Sequence, residues 1–327
     1  MSFAKQLPRL TQATRMLSTT AENNASKSGR AATIAKRIPQ RTWDSHMHVV
    51  DPGRYPLVSD AQYVPPAHTL TQANEFEKSL GISNMVLVQP SIYGFDNSHL
   101  LDALKQLGPS RGRGVVAIDP EAVQPDTMRE WHVLGVRGVR LNLKSSGTQL
   151  SADELAASIR RHADAIRPWN WVLQLYLSMK DVPTLLDVVP TLGVRVCLDH
   201  FASPDLQPYD EKGDMNSFDP YSIYGFQALS TLLRQGNTFV KISGSYRLSN
   251  DPQMRGARIL TRELVRIASD RLVFATDWPH TRFDGLDITP FVESCLQWCE
   301  GDKELEERLF RRNAEDLWDA VTDDSDA

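Results

Sequence analysis

From Trp43 onward the chain repeats a single alternation: a short run of β-branched and apolar residues, then a stretch whose apolar positions recur at helical spacing. Strand-like runs lie near Trp43–Val49, Asn84–Gln89, Gly114–Ile118, Val136–Leu143, Trp171–Tyr176, Val194–Asp199, Thr238–Ser243 and Leu272–Thr276. Helical stretches such as Thr71–Leu80, Ser98–Leu107, Ala152–Ile166, Val182–Val189, Tyr224–Arg234, Arg258–Ala268 and Ile288–Cys299 separate them. Eight strands alternating with helices in one chain of this length predict an α/β protein with a single (β/α)8 TIM barrel over residues 43–320. A doubly wound open sheet is the competing arrangement. The connections Phe201–Tyr221 and Pro279–Asp287 are long and follow strands, which marks them as candidate active-site loops.

The segment before the barrel has a different composition. Residues 1–42 hold eight of the 36 basic residues and only one acidic residue, Glu22. Phe3, Leu7, Leu10 and Leu17 recur at helical spacing among Lys5, Arg9 and Arg15, and Ser and Thr abound from Thr11 to Ser28. Arg-rich, Ser-rich, acid-poor and amphipathic is the composition of a mitochondrial transit peptide, and Arg15-Met16-Leu17-Ser18 is similar to a matrix-processing site. The alternative is a disordered basic tail on a cytoplasmic enzyme. Both place residues 1–42 outside the fold, and residues 321–327 read as an acidic tail.

Removing that segment leaves 28 basic against 40 acidic residues, so the body has no general electrostatic reason to bind nucleic acid or anionic lipid. No apolar run approaches the roughly 20 residues that span a bilayer. Cys197, Cys295 and Cys299 form no C-x-x-C pair and no disulfide framework, and Cys295 and Cys299 read as helix core residues. Gly112 to Ala117 fits a G-x-G-x-x-A pattern but leads into a strand instead of opening a helix, which excludes a dinucleotide loop. Neither G-x-S-x-G nor H-E-x-x-H occurs.

The chemistry concentrates at strand ends. In Trp43-Asp44-Ser45-His46-Met47-His48 the two histidines share one face of a strand, because side chains repeat with a period of two. Two such imidazoles can bind a divalent metal or donate paired hydrogen bonds to one oxygen. Tyr176, His200 and Asp277 end the fifth, sixth and eighth strands, so with His46 and His48 they converge on one mouth of a barrel.

The sequence resembles the amidohydrolase superfamily, in the branch of pyrone dicarboxylate lactonase and related lactonases. The stretches that carry the resemblance are Asp44-Ser45-His46-Met47-His48, Gln89-Pro90-Ser91, Gly138-Val139-Arg140-Leu141-Asn142, Leu198-Asp199-His200-Phe201, Lys241-Ile242-Ser243 with Arg247-Leu248-Ser249, and Thr276-Asp277-Trp278-Pro279-His280. The resemblance implies that Asp277 takes the proton of an attacking water. It implies that His46, His48 and His200 polarise a lactone carbonyl, with Tyr176 adding a hydrogen bond. Ser91, Arg140 and Arg247 would hold a substrate carboxylate.

Departures from the superfamily pattern narrow the expectation. Where a bridging lysine and a fifth-strand histidine are usual, this chain has Arg140, Asn142, Gln174 and Tyr176, which argues against the usual binuclear centre. The lactonase branch works without metal, so the resemblance implies that no cofactor is required. His46, His48 and Asp277, near His200, alternatively hold one Zn²⁺ or Mn²⁺. Ser146 stands where that branch has a further carboxylate-binding arginine, and Lys144 is placed to compensate. The expected activity is hydrolytic opening of a small anionic lactone. The alternatives are a metal-dependent, non-oxidative decarboxylase of an aromatic or muconate-type acid, and a non-catalytic barrel that binds an anionic metabolite. A homo-oligomer is compatible with the acidic exterior.

Overall fold

The structure, a computed structural model, describes residues 29–320 apart from 145, 146, 148 and 207–217. Its centre is a single sheet of eight parallel strands, each paired with its neighbours in sequence. The strands are β1 (Trp43–Met47), β2 (Asn84–Val88), β3 (Gly112–Val116), β4 (Val136–Asn142), β5 (Val172–Tyr176), β6 (Val196–Leu198), β7 (Thr238–Ile242) and β8 (Leu272–Phe274). The last strand returns to the first. Met47 bridges Trp278, the His48 amide donates to the Trp278 carbonyl at 2.8 Å, and the Asp277 amide donates to the His46 carbonyl at 3.0 Å. Asp44 ties the seam, its Oδ1 accepting from the His46 and Thr276 amides and its Oδ2 from the Thr276 hydroxyl. The sheet is therefore a barrel, and the open doubly wound alternative is excluded.

Helices cover the outside. They are α1 (29–35), α2 (Leu70–Leu80), α3 (Ser98–Leu107), α4 (Pro125–Leu134), α5 (Ala152–Ile166), α6 (Phe226–Arg234), α7 (Arg255–Ala268), α8 (Thr289–Trp298), α9 (Lys303–Glu307) and α10 (Asn313–Leu317). The longest of them, α5, shows why they form. Ser151 and Glu154 make a reciprocal capping box at its start, while Leu155, Ile159, Ala163 and Ile166 bury one face against the sheet. Each Leu or Ile so buried contributes about 1.5–3 kcal/mol.

Two expectations are corrected here, and one helix is added. Residues 29–42 belong to the fold: α1 buries Ala31 and Ile34, and Gly81 just past α2, at φ 78°, lets the Ala35 backbone approach where a Cβ would come within 2.9 Å of its Cα. The expected α-helix at Val182–Val189 is instead a pair of 3₁₀ segments, Met179–Leu186 and Val189–Thr191, because Pro183 and Pro190 each remove a backbone donor. Helix α4 was not anticipated, since its face buries only Met128 and gives a weak periodic signal. Of the expected address on residues 1–42, residues 1–28 lie outside the described residues, as does the acidic tail at 321–327. No described helix is long and apolar enough to cross a membrane, and all three cysteines are free and buried.

Inside the barrel the lower layer is apolar. Trp43, Val86, Val115, Val172, Cys197, Phe239 and Val273 pack together over Ala314, Leu317 and Trp318, so α10 plugs the end away from the catalytic strand ends. A register shift in β1 lets Ser45 and His46 both face inward: Trp318 Nε1 donates to the Ser45 hydroxyl at 3.2 Å, while the His46 ring meets Lys241.

Candidate active site

Above the apolar layer the interior turns polar. His46 and His48 leave β1 side by side, with their Nε2 atoms 3.2 Å apart. His48 Nδ1 lies 2.7 Å from the Val88 carbonyl, which can only accept, so Nδ1 carries the proton and Nε2 presents a lone pair. Burial lowers the pKa of His48 to about 3 and of His200 to about 4. Burial and then Lys241 hold His46 well below its ordinary value. All three are neutral imidazoles at working pH, which is the ligating form.

Asp277 stands opposite. Its Oδ1 is 3.8 Å from His46 Nε2, while its Oδ2 accepts from Arg247 Nε at 2.5 Å and from the Tyr246 hydroxyl at 2.6 Å. Burial alone would raise this carboxyl, but Arg247 and the three imidazoles hold it well below the usual carboxylate range. The expected arrangement of one carboxylate base with three imidazoles polarising the carbonyl directly is thus not what the chain builds, because half of the carboxylate is already committed.

The cofactor expectation is also corrected. Two groups, His46–His48–Asp277 and His46–Asp199–His200, each bring three potential ligand atoms within 4.8 Å of one another, which points to metal dependence instead of a reaction that needs no ion. The first group suits a cation well. A tetrahedral ion with bonds of ~2.0–2.2 Å spaces its ligands by about 3.4 Å, close to the two separations given above. The next layer suits it too. Asp199 Oδ1, fully buried and without a hydrogen bond, lies 3.3 Å from His46 Nδ1. A proton on Nδ1 facing that oxygen would free Nε2 for an ion.

Beside this group is a cavity of about 250 Å³ whose lining includes His48, Ser91, Arg140, Lys144, Tyr176, His200, Arg247 and Asp277. His46, wholly buried, lies beneath it. The structure therefore brings every anticipated site residue to one place, although two are engaged differently. Arg247 pairs with Asp277. Arg140 donates to the Gln89 carbonyl at 3.0 Å and reaches Asp199 Oδ2 at 3.4 Å, with only its Nε lacking a partner. Tyr176 stands edge-on to His200, with ring centroids 5.1 Å apart. Ser91 opens a 3₁₀ turn at the rim, and Lys144 has its pKa lowered by burial. Ser146 lies outside the described residues.

Several residues escaped the sequence reading. Tyr246 joins the anticipated Arg247 in holding Asp277, and Tyr63 and Arg282 line the cavity with the guanidinium 4.7 Å from the ring centroid. Asp199, Gln174 and Lys241 form the buried layer below, where Gln174 Nε2 donates to Asp199 Oδ2 at 3.0 Å. Backbone conformation marks the same places: His200, Phe201, Ala202 and Ser203 run consecutively at φ of 49–60°, and Asp277, His280 and Arg282 are also left-handed. Such strain in non-glycine residues collects at functional sites, where packing enforces it.

Gly244 supplies the clearance. At φ 60° it passes beneath His200, and a Cβ there would lie 2.8 Å from His200 Nδ1 and 3.4 Å from Asp277 Oδ2. Gly244→Ala is expected to displace the imidazole and lower kcat about 100-fold. Steady-state kinetics on a variant of unchanged circular dichroism checks this, and unaltered kcat would remove His200 from the reaction.

The buried histidines also set the pH response. His48, His99, His200 and His280 are lowered by burial from 6.5 to about 3, 4, 4 and 4, so below pH 6.5 the unfolded chain binds protons that the folded one refuses. Asp44, raised by burial to about 6, opposes this, being protonated when folded where the unfolded carboxyl is still ionised. The histidines outnumber it, and stability is expected to fall from pH 6.5 toward pH 4 by roughly 3 kcal/mol per pH unit at the steepest. Urea midpoints measured at pH 7.5, 6 and 5 test the sign, since a constant or rising midpoint contradicts it.

Comparison with known proteins agrees with this geometry. Residues 43–320, the whole barrel, match the amidohydrolase family. A 4-sulfomuconolactone hydrolase of Hydrogenophaga intermedia is 30% identical over 75% of this chain and 77% of its own length. A 2-pyrone-4,6-dicarboxylate hydrolase of Comamonas testosteroni is 27% identical over 78% of this chain and 85% of its own. A Pseudomonas putida crystal structure designated as a 2-pyrone-4,6-dicarboxylic acid hydrolase shares 29% identity at a TM-score of 0.71, covering 88% of this chain and 100% of that one. With its barrel matched from first strand to last, and with hydrolases and lactonases as its homologues, the chain belongs to the amidohydrolase family.

Proposed function

We propose that the chain is a metal-assisted hydrolase that opens the ring of a small carboxylated lactone. The observation that carries this reading is the His46–His48–Asp277 group set beside a cavity lined by Arg140, Lys144 and Arg247. A divalent ion held by His46 Nε2, His48 Nε2 and Asp277 Oδ1 would polarise the lactone carbonyl and make bound water a nucleophile near neutral pH. The chain does the remainder. Asp277 Oδ1, the oxygen that faces His46, takes the water proton, while Tyr246 and Arg247 fix the carboxylate through Oδ2. The Ser243 hydroxyl, 2.8 Å from His200 Nδ1, donates there and leaves Nε2–H to face the oxyanion, with Tyr176 beside it. Arg140, Lys144 and Ser91 orient a substrate carboxylate. As the carbonyl re-forms, the ring C–O bond breaks and the released oxygen takes up a proton. The similarity to hydrolases of a sulfomuconolactone and a pyrone dicarboxylate supports an anionic lactone.

The second reading is a metal-dependent, non-oxidative decarboxylase of an aromatic or muconate-type acid. The same two His/Asp groups favour it, because they offer ligands for the cation that such chemistry would use. One assay separates the two. Pyrone carboxylates, muconolactones and sugar-acid lactones are given to the enzyme before and after chelation, and again after Zn²⁺ or Mn²⁺ is returned. Ring opening is expected to fall at least ~100-fold on chelation and to recover on reloading. Undiminished activity in ion-free protein rejects metal assistance, and release of CO₂ without ring opening establishes the decarboxylase. The composition of residues 1–28 supports a matrix address, tested by imaging a fluorescent fusion with and without them.

A further inference from the structure

The two potential metal groups share His46, yet they are not equivalent. The second would need His46 Nδ1 and Asp199 Oδ1, which lie 3.3 Å apart. Lys241 Nζ is 3.1 Å from that nitrogen and 3.3 Å from that oxygen. Its third contact is Gln174 Oε1 at 2.7 Å, and the Trp318 ring lies 5.4 Å away on a further side. Lys241 has no exposure to solvent, and neither does Asp199 beyond 1%. An ammonium has three hydrogens; His46 Nδ1 and Gln174 Oε1 can each accept one, and Asp199 Oδ1 is its ion-pair partner.

We propose that Lys241 is a built-in cation occupying the second of the two potential metal positions, so that the barrel takes a single divalent ion, at His46, His48 and Asp277. The proposal rests on the metal-assisted reading for the identity of the first site. The ionised Asp199 attracts a cation, and the chain supplies one in the side chain of Lys241. Because that cation is covalently tethered and carries one charge instead of two, it leaves His46 able to switch tautomer. With its proton on Nε2 the ring donates to His48 and accepts from Lys241; with its proton on Nδ1 it faces Asp199 and presents Nε2 to an ion, and Lys241 then keeps Asp199 and Gln174. A second dication could bind only by displacing the ammonium from both atoms.

The test is metal stoichiometry. Full-length protein is saturated with Zn²⁺, freed of excess and analysed for bound metal, beside Lys241→Arg and Lys241→Met variants. Wild type and Lys241→Arg are expected to hold one ion per chain. Lys241→Met, which keeps the apolar stem and removes the charge, is expected to hold two, and its melting temperature should respond to the second equivalent. Two ions in wild type, or one in Lys241→Met, overturns the proposal and leaves the metal-assisted reading standing. No ion in wild type with one in Lys241→Met keeps the blocking ammonium and rejects the metal-assisted reading. No ion in either rejects both. Should Lys241→Met fail to fold, Co²⁺-loaded wild type decides: an isolated high-spin ion in the electron paramagnetic resonance spectrum is expected, and an exchange-coupled pair overturns the proposal.

Discussion

Asp277→Asn is expected to lose about 10³–10⁴-fold in kcat while still binding an unreactive carboxylate analogue. The substitution preserves shape and removes charge. Asn cannot take a proton from water, and its neutral oxygen is a much poorer ligand than Asp277 Oδ1 beside His46 and His48. It also frees Arg247, whose Nε now donates to Asp277 Oδ2 and whose charge that carboxylate neutralises. Analogue affinity should therefore hold or improve as turnover collapses, because the guanidinium becomes available to the ligand. Turnover measured against the lactone panel, with calorimetry on the analogue, separates the two effects. Wild-type turnover in this variant would falsify the assignment of Asp277.

Asp199→Asn is expected to destabilise the fold by about 3–5 kcal/mol, the usual cost of removing one partner from a buried ion pair. Asp199 is wholly buried between Lys241, at 3.3 Å, and Arg140, at 3.4 Å, with His46 and Gln174 alongside. Burial by itself would raise its pKa, but Lys241, His46 and Arg140 together hold it well below the usual carboxylate range. Removing the charge leaves an ammonium and a guanidinium in the barrel with no anion between them. Urea unfolding of the two proteins measures the loss. A difference below 1 kcal/mol would show that water reaches this layer and screens it.

The elements that could be read from sequence were those with regular patterns. Helices α3 and α5 fall on the anticipated residues because apolar spacing is regular in both, joined by a terminal glycine after α3 and a capping box before α5. Strand ends could be placed closely enough to bring His46, His48, Tyr176, His200 and Asp277 to one mouth. What escaped were pairings, which depend on geometry across the barrel. Arg140 and Arg247 were recognisable as cations near a site, but nothing in the chain order says that Asp199 and Asp277 would claim them. Lys241 did leave a trace: a lysine inside Thr-Phe-Val-Lys-Ile, and a glutamine inside Val-Leu-Gln-Leu-Tyr, interrupt strands that are otherwise buried. A charge in such a strand needs a partner, and only the closed barrel identifies it. The metal group His46, His48 and Asp277 was legible only as an alternative for the same reason, since the choice turns on which nitrogen of His46 faces which oxygen.

The plug formed by α10 bears on how the enzyme is made. Trp318 closes the floor under Lys241 and also reaches back to Arg113, whose Nε donates to its carbonyl at 3.2 Å, and to Ser45. A nascent chain that has produced all eight strands still has an open base, with water able to rise to the ammonium and to Asp199. The charged layer is desolvated only when residue 318 has been synthesised and seated, so the active site is not sealed before the segment that carries Trp318 has joined the barrel.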